Sequence, residues 1–158
     1  MATGGFPKMT ASLMGAGRSD LAHRFRPGGD PLVVVFSQVR VPAGKFGLER
    51  LFAATAHSLL LLTQPANDWY RACGADIDRL IGEAAATAKA GRVVLYGSSM
   101  GDFGAAATAS RHPDAELYAF APDFRIGEPG SQSAAAGLAL QSNEADLGHL
   151  LALPRQGS

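Results

Sequence analysis

Ser99 lies in Gly97-Ser98-Ser99-Met100-Gly101, a G-x-S-x-G spacing that can present a serine hydroxyl for acyl chemistry. The pattern has a mechanical reason. A serine on a sharp turn between a strand and a helix sits on strained backbone, and side chains at the two flanking positions would collide with neighbouring main chain. Gly97 and Gly101 remove those side chains. The turn then holds the hydroxyl at the N-terminus of the next helix, where the dipole and free N–H groups favour developing negative charge, and the Met100 backbone N–H supplies half of an oxyanion hole. Glycines also follow strands in dinucleotide and phosphate loops. Here, however, G-x-G-x-x-G would need a Gly where Ser99 stands, and no Walker-type Lys follows. A tight strand-to-helix turn with no chemistry is the plain alternative.

The elements around the motif must place it at a sheet edge. Short apolar runs occupy Leu32–Phe36, Ser58–Thr63, Val93–Tyr96 and Leu117–Ala121, and none alternates apolar with polar. Such runs predict strands of a parallel sheet covered by helices on both faces. Between the second and third runs, Ile77, Leu80, Ile81, Ala84, Ala85 and Ala88 recur at helical spacing over 75–90, ending at Gly91. Between the third and fourth, Phe103, Ala106, Ala107 and Ser110 share one helical face, stopped by His112-Pro113. Alternating strand and helix predicts an α/β fold with a mostly parallel sheet of about four core strands. The expected organisation is a loosely ordered segment over 1–30, with one edge strand near His23–Arg26, a core over 31–133, and a tail over 134–158 containing at most a weak helix, 134–153.

Composition narrows the function. The chain has 158 residues, 47% hydrophobic, and its 14 Lys and Arg balance 14 Asp and Glu. That is one domain's worth of core with no broad positive field, which disfavours nucleic acid and an anionic membrane surface as partners. A lone Cys73 forms neither an internal disulfide nor a thiolate zinc cage, and no cofactor or metal is expected. No apolar stretch near the start suits a secretory leader or a membrane span, so a cytoplasmic location is the expectation. Cys73, Trp69 and Tyr70 read first as packing residues, although an aromatic near Ser99 could line an acyl pocket.

Leu95-Tyr-Gly-Ser-Ser-Met-Gly-Asp-Phe-Gly-Ala105, with Ala119-Phe-Ala-Pro122 after the next strand and Asn67-Asp-Trp-Tyr70 ahead of the preceding helix, resembles the α/β-hydrolase fold family. The likeness is to bacterial hydrolase-like proteins with a YGSSMGG-type elbow and covers about 31–133. Asp102 departs from that pattern, replacing the usual Gly, and a carboxylate there would oppose charge forming at an oxyanion site. The resemblance implies a shortened three-layer sandwich, cut at the C-terminal side, and a second oxyanion donor from the loop after the first core strand, the backbone N–H of Gln38 or Val39.

A serine nucleophile needs a histidine to take its proton and a carboxylate to orient that histidine, and the family's order is serine, acid, histidine. Asp123 follows the strand that ends near Ala121, so it should emerge at the Ser99 edge and is the candidate acid. His149 is the candidate base. His112 reads as an ordinary helix C-terminus, Asp146 is tied by its spacing to His149, and His23 and His57 precede the motif. Two functions remain open: a serine hydrolase-type protein acting on a small-molecule ester or related acyl bond, or a shortened domain without catalysis that serves as a binding or interaction module. Exposed sheet edges also allow a second copy to dock.

Overall fold

A computed structural model describes residues 20–120, 123–140 and 146–152. Five strands form one sheet: β1 (Ala22–Arg26), β2 (Gly29–Phe36), β3 (His57–Thr63), β4 (Val93–Ser98) and β5 (Glu116–Phe120). Their spatial order is β1-β3-β2-β4-β5. The last four pair in parallel, and β1 runs antiparallel to β3 with Ala22 opposite Thr63 and Arg26 opposite Leu59. The fold is therefore α/β with a mostly parallel sheet, and the expected edge strand near His23–Arg26 is β1.

Helices α1 (Gly74–Ala88) and α2 (Met100–Arg111) connect β3 to β4 and β4 to β5. Both pack on the same face. Ile77, Leu80, Ile81 and Ala84 of α1, with Met100, Phe103, Ala105, Ala106 and Ala109 of α2, meet Leu32, Val34, Phe36, Leu60 and Leu62 of the sheet in one buried cluster. The arrangement follows from crossover handedness. The steps from β3 to β4 and from β4 to β5 run in the same direction across the sheet, so right-handed crossovers put α1 and α2 on one face, whereas β2 to β3 steps the opposite way and its connection lies on the other.

The second face differs from the expectation of helices on both sides. Val33, Val35, Leu59 and Leu61 are covered by Phe46, Leu48 and Phe52, from a β2–β3 connection built of turns over 37–56. Pro42 and Gly44, the latter with φ +73, interrupt any helical run there. Helix α1 also ends earlier than Gly91 suggested. Lys89 takes the left-handed conformation, φ 51, and its N–H reaches the carbonyls of Ala85 and Ala86. In the tail, two short helices, α3 (Gln132–Ala135) and α4 (Leu147–Ala152), stand where one weak helix was expected. Gly137, with φ +87, lies between them. Positions 1–19 of the expected lead-in lie outside the described residues, as do 141–145 and 153–158 of the tail.

Because α1 contributes its whole apolar stripe to the core, Ile77→Ala should lower unfolding free energy by about 2–5 kcal/mol. Ile77 is 1% exposed. Glu83→Ala, on the solvent side, should cost no more than about 0.5 kcal/mol even though it removes an ion pair with Arg79. Urea titrations of the two variants check this, and equal losses would contradict the assignment of faces.

Candidate functional site

Ser99 occupies the one-residue turn between β4 and α2, with φ 58 and ψ −124. Positive φ in a non-glycine residue at such a turn costs on the order of 1–3 kcal/mol and persists only where the surroundings over-determine it. Two close approaches and two hydrogen bonds do so here. A Cβ on Gly97 would come within 2.7 Å of the Asp102 nitrogen, and one on Gly101 would enter the Phe36 carbonyl at the end of β2. The backbone N–H of Ser99 donates to Asp102 Oδ2 at 3.0 Å and also to the Phe120 carbonyl at 3.3 Å.

Asp102 is the hub of this geometry. It is fully buried, at 0% exposure, and its other oxygen accepts from the Phe120 N–H at 2.6 Å. The carboxyl therefore joins the start of α2, the Ser99 turn and the end of β5. Burial pushes its pKa up, hydrogen bonds from the Phe120 and Ser99 amides pull it back, and the balance stands at about 6. From sequence Asp102 is only a departure from the family pattern, and its bridge to β5 is not evident. The signal available was the Ser99-x-x-Asp102 spacing of half a capping box.

The Ser99 hydroxyl donates to Gln132 Oε1 at 2.6 Å. Gln132 is the first residue of α3, and α3 is held by Asp123, whose oxygens accept from the Gln132 N–H at 3.2 Å and the Ser133 N–H at 2.6 Å. Asp123 thus reaches Ser99 through the Gln132 segment rather than through a histidine. His149 lies on α4, which packs against α2, and is exposed; its backbone N–H donates to Asp146 Oδ1 at 3.2 Å. Among the described residues no imidazole is hydrogen-bonded to Ser99. No sequence signal marked Gln132, which lies in a loop-like Ser131-Gln-Ser133 stretch.

Met100 begins α2 and is buried, and its backbone N–H belongs to the first turn, where amides lack intrahelical acceptors. Gln38 follows Ser37, whose carbonyl and that of Phe36 lie against Gly101, so the β2–β3 connection starts beside the turn. The Ser37 hydroxyl accepts from the Gly47 N–H at 2.8 Å and the Tyr70 hydroxyl donates to the Ser37 carbonyl at 2.9 Å, pinning this segment. Among the described residues nothing donates to the buried Gln38 Oε1. Trp69 and Tyr70 are 2% and 4% exposed and belong to the core, with Tyr70 edge-on to Phe36 at 5.5 Å. The aromatic surface at the site comes instead from Phe120, 50% exposed and opposite Ser98 in the β4–β5 register, with Tyr96 at 5.3 Å from its ring.

His112 and His57 are engaged elsewhere. His112 Nε2 pairs with Asp78 Oδ1 at 2.9 Å, where Arg111 also binds. Burial raises the Asp78 pKa, but the Arg111 and His112 hydrogen bonds outweigh it and hold the carboxyl below its usual value. His57 Nδ1 lies 3.0 Å from the Asp30 carbonyl, at the amino end of the sheet. Among the described residues no group of three or more His, Cys, Asp or Glu could hold a metal ion. No described helix is long and apolar enough to cross a membrane.

The fold defines the class, an α/β domain with a glycine-flanked serine turn between an interior strand and its helix. No family model matches the chain, and no curated protein matches it. Among solved structures it is similar to the Glycosylation Associate Protein (Gap123) complex from Streptococcus agalactiae, with 23% identity over 68% of this chain and 22% of that one, TM-score 0.59. It is also similar to the capsule O-acetyltransferase of Neisseria meningitidis serogroup A, alone and in complex with caged gadolinium, with 16% identity over 69% of this chain and a TM-score of 0.53 in both. The chain spans 22% to 51% of the length of these proteins. At these identities the likeness establishes the fold.

Two outcomes test the turn. Gly101→Ala should destabilise the protein by about 2–4 kcal/mol in urea unfolding, since its methyl meets backbone that cannot yield; a loss below about 0.5 kcal/mol would contradict the close approach. The second concerns pH. The folded pKa of Asp102, about 6, lies above the ordinary 3.8, so its contribution to stability is full below about 3.8 and is lost as pH rises through 6. Relative to Asp102→Asn, the wild type should therefore lose stability between pH 4 and pH 6.5 and change no further above. Parallel profiles would refute the raised pKa.

Proposed function

We propose that Ser99 is the nucleophile of an acyl-transfer site on an α/β-hydrolase-type core. The observation that carries this reading is the strained backbone of Ser99, φ 58 and ψ −124, fixed by Gly97, Gly101 and the buried Asp102 carboxyl at the mouth of a helix. Strain maintained by so many contacts at one half-buried serine is characteristic of reactive positions. The likeness to a capsule O-acetyltransferase supports acyl transfer over other chemistry on this fold.

In the reaction Ser99 Oγ attacks the carbonyl carbon of an ester or thioester as its proton passes to a base. The tetrahedral oxyanion is received by the Met100 and Gln38 backbone N–H groups. Collapse breaks the bond to the leaving group, which takes up the proton, and leaves an acyl ester on Ser99. A water or alcohol hydroxyl then attacks that ester, its proton goes to the base, and Ser99 Oγ–H is restored. Both similar proteins are named for capsule or glycosylation, which supports a sugar hydroxyl as the acceptor.

His149 is the proposed base, supported by the packing of α4 on α2, the helix that Ser99 precedes. Asp123 is the proposed orienting acid, and to act as one it must exchange the Gln132 and Ser133 amides for an imidazole N–H. Gln132 accepts the resting hydroxyl hydrogen bond, but an amide carbonyl has no useful basicity at neutral pH. That same bond supports a second reading, in which the domain keeps the turn without catalysis and serves as a binding module; likeness to a protein complex is in keeping with it.

A fluorophosphonate probe separates the two. The wild type should be labelled and Ser99→Ala should not, while His149→Ala should label about 10²–10⁴-fold more slowly. Folded wild type that resists the probe would favour the binding module, and unchanged labelling of His149→Ala would remove that residue as base.

A further inference from the structure

A groove of about 460 Å³ opens along the β2–β3 connection, beginning at Gln38 beside the Ser99 turn. Its rim carries Arg40, Lys45 and Arg50, all exposed. The acid in its lining, Glu49, is ion-paired with Arg24, which also lies over the Phe46 ring at 4.8 Å from its centroid. Among the described residues Arg40, Lys45 and Arg50 take part in no ion pair. The loop geometry is held by backbone, not by these cations: the Arg40 N–H donates to Asn67 Oδ1 at 3.2 Å and the Lys45 N–H to the Pro42 carbonyl at 3.0 Å.

The contrast within the molecule is informative. A second groove of about 370 Å³, at the amino end of the sheet, also has Arg92, Arg111 and His112 in its lining. There the cations are committed, Arg92 to Glu116 and the other two to Asp78. In a chain of zero formal net charge, the groove whose cations take part in no ion pair among the described residues is the one that starts at Gln38, the residue after the Ser37 carbonyl that lies against Gly101.

We infer that the Arg40–Lys45–Arg50 groove binds a phosphate-bearing group of the substrate, placing its acyl or acceptor end at Ser99. The functional half of this statement rests on the acyl-transfer reading, whereas the binding half does not. Guanidinium forks suit phosphate oxygens bidentately, and Lys45 adds a point charge. Gln38 gives the inner end a polar group that lacks a donor, and turning its amide toward a ligand hydroxyl or N–H would satisfy it. The phosphate could belong to the acyl donor, as in a phosphopantetheine thioester, or to the acceptor, as in a sugar phosphate.

Calorimetry on Ser99→Ala keeps binding apart from chemistry. Desulfo-coenzyme A and N-acetylglucosamine 1-phosphate are the probes, with pantetheine and N-acetylglucosamine as uncharged partners. One phosphorylated probe should bind at least about tenfold more tightly than its uncharged partner, and which one does so identifies the source of the phosphate. The triple variant Arg40→Gln/Lys45→Gln/Arg50→Gln should weaken that probe about tenfold or more, and Lys45→Arg should retain affinity. Equal affinity of charged and uncharged probes, or a triple variant that is folded by circular dichroism and binds as before, would overturn the inference. Binding as expected, together with wild type inert to fluorophosphonate, would retain the groove and dismiss the nucleophile.

Discussion

The Asp102 carboxyl is buried, and both of its oxygens accept from main-chain amides, one at Ser99 and one at Phe120. A buried carboxyl in a small domain is costly unless hydrogen-bonded, and here two donors come from the segments that must be held together. Through it the first turn of α2, the strained residue and the end of β5 become one unit. The glycines at 97 and 101 provide room for the turn, but room alone does not hold a backbone at positive φ.

From that unit the rest of the site is reached by short steps. Gly101 rests on the carbonyl of Phe36, so β2 and the following Ser37 and Gln38 are brought against the turn. Phe120 lies next to Tyr96, which stacks edge-on with Phe52 at 5.0 Å, so the covering segment on the second face is tied to the same strand ends. Asp123 organises α3 and sets Gln132 on the hydroxyl. The carboxyl edge of the sheet is thus built by elements far apart in sequence, the usual location for chemistry in open α/β folds.

The legible parts of the fold were those whose signal is local and repeated. Leu32–Phe36 and Ser58–Thr63 could be read as buried parallel strands because both of their faces are apolar, and α1 because one stripe of Ile, Leu and Ala recurs. The layer over 37–56 was illegible as structure, since Phe46, Leu48 and Phe52 cover the sheet from turns with no period to detect. At the site, the glycine-flanked serine announced itself. The partners of Asp102 and Ser99 did not, because Phe120 is 18 residues from Asp102 and Gln132 is 33 from Ser99, and nothing in either residue type encodes that meeting.

The two faces of the sheet are covered by unlike layers, and this has a consequence for how the molecule breathes. On one side α1 and α2 bury continuous apolar stripes and satisfy their own amides, so that layer opens with the whole domain. On the other, 37–56 carries no helix: beyond the pinned Ser37 it is attached by Phe46, Leu48 and Phe52, by turn hydrogen bonds, by the Arg24 contacts to Glu49 and Phe46, and by the Arg26 contacts to the carbonyls of Phe52, Ala53 and Thr55. Amide exchange in that segment should therefore proceed by local opening, at a free energy well below that of β2 and β3 beneath it. The groove along 38–50 therefore belongs to the part of the protein that should move while the sheet stays folded, and a molecule bound there should slow exchange over 37–56 without changing it in the strands.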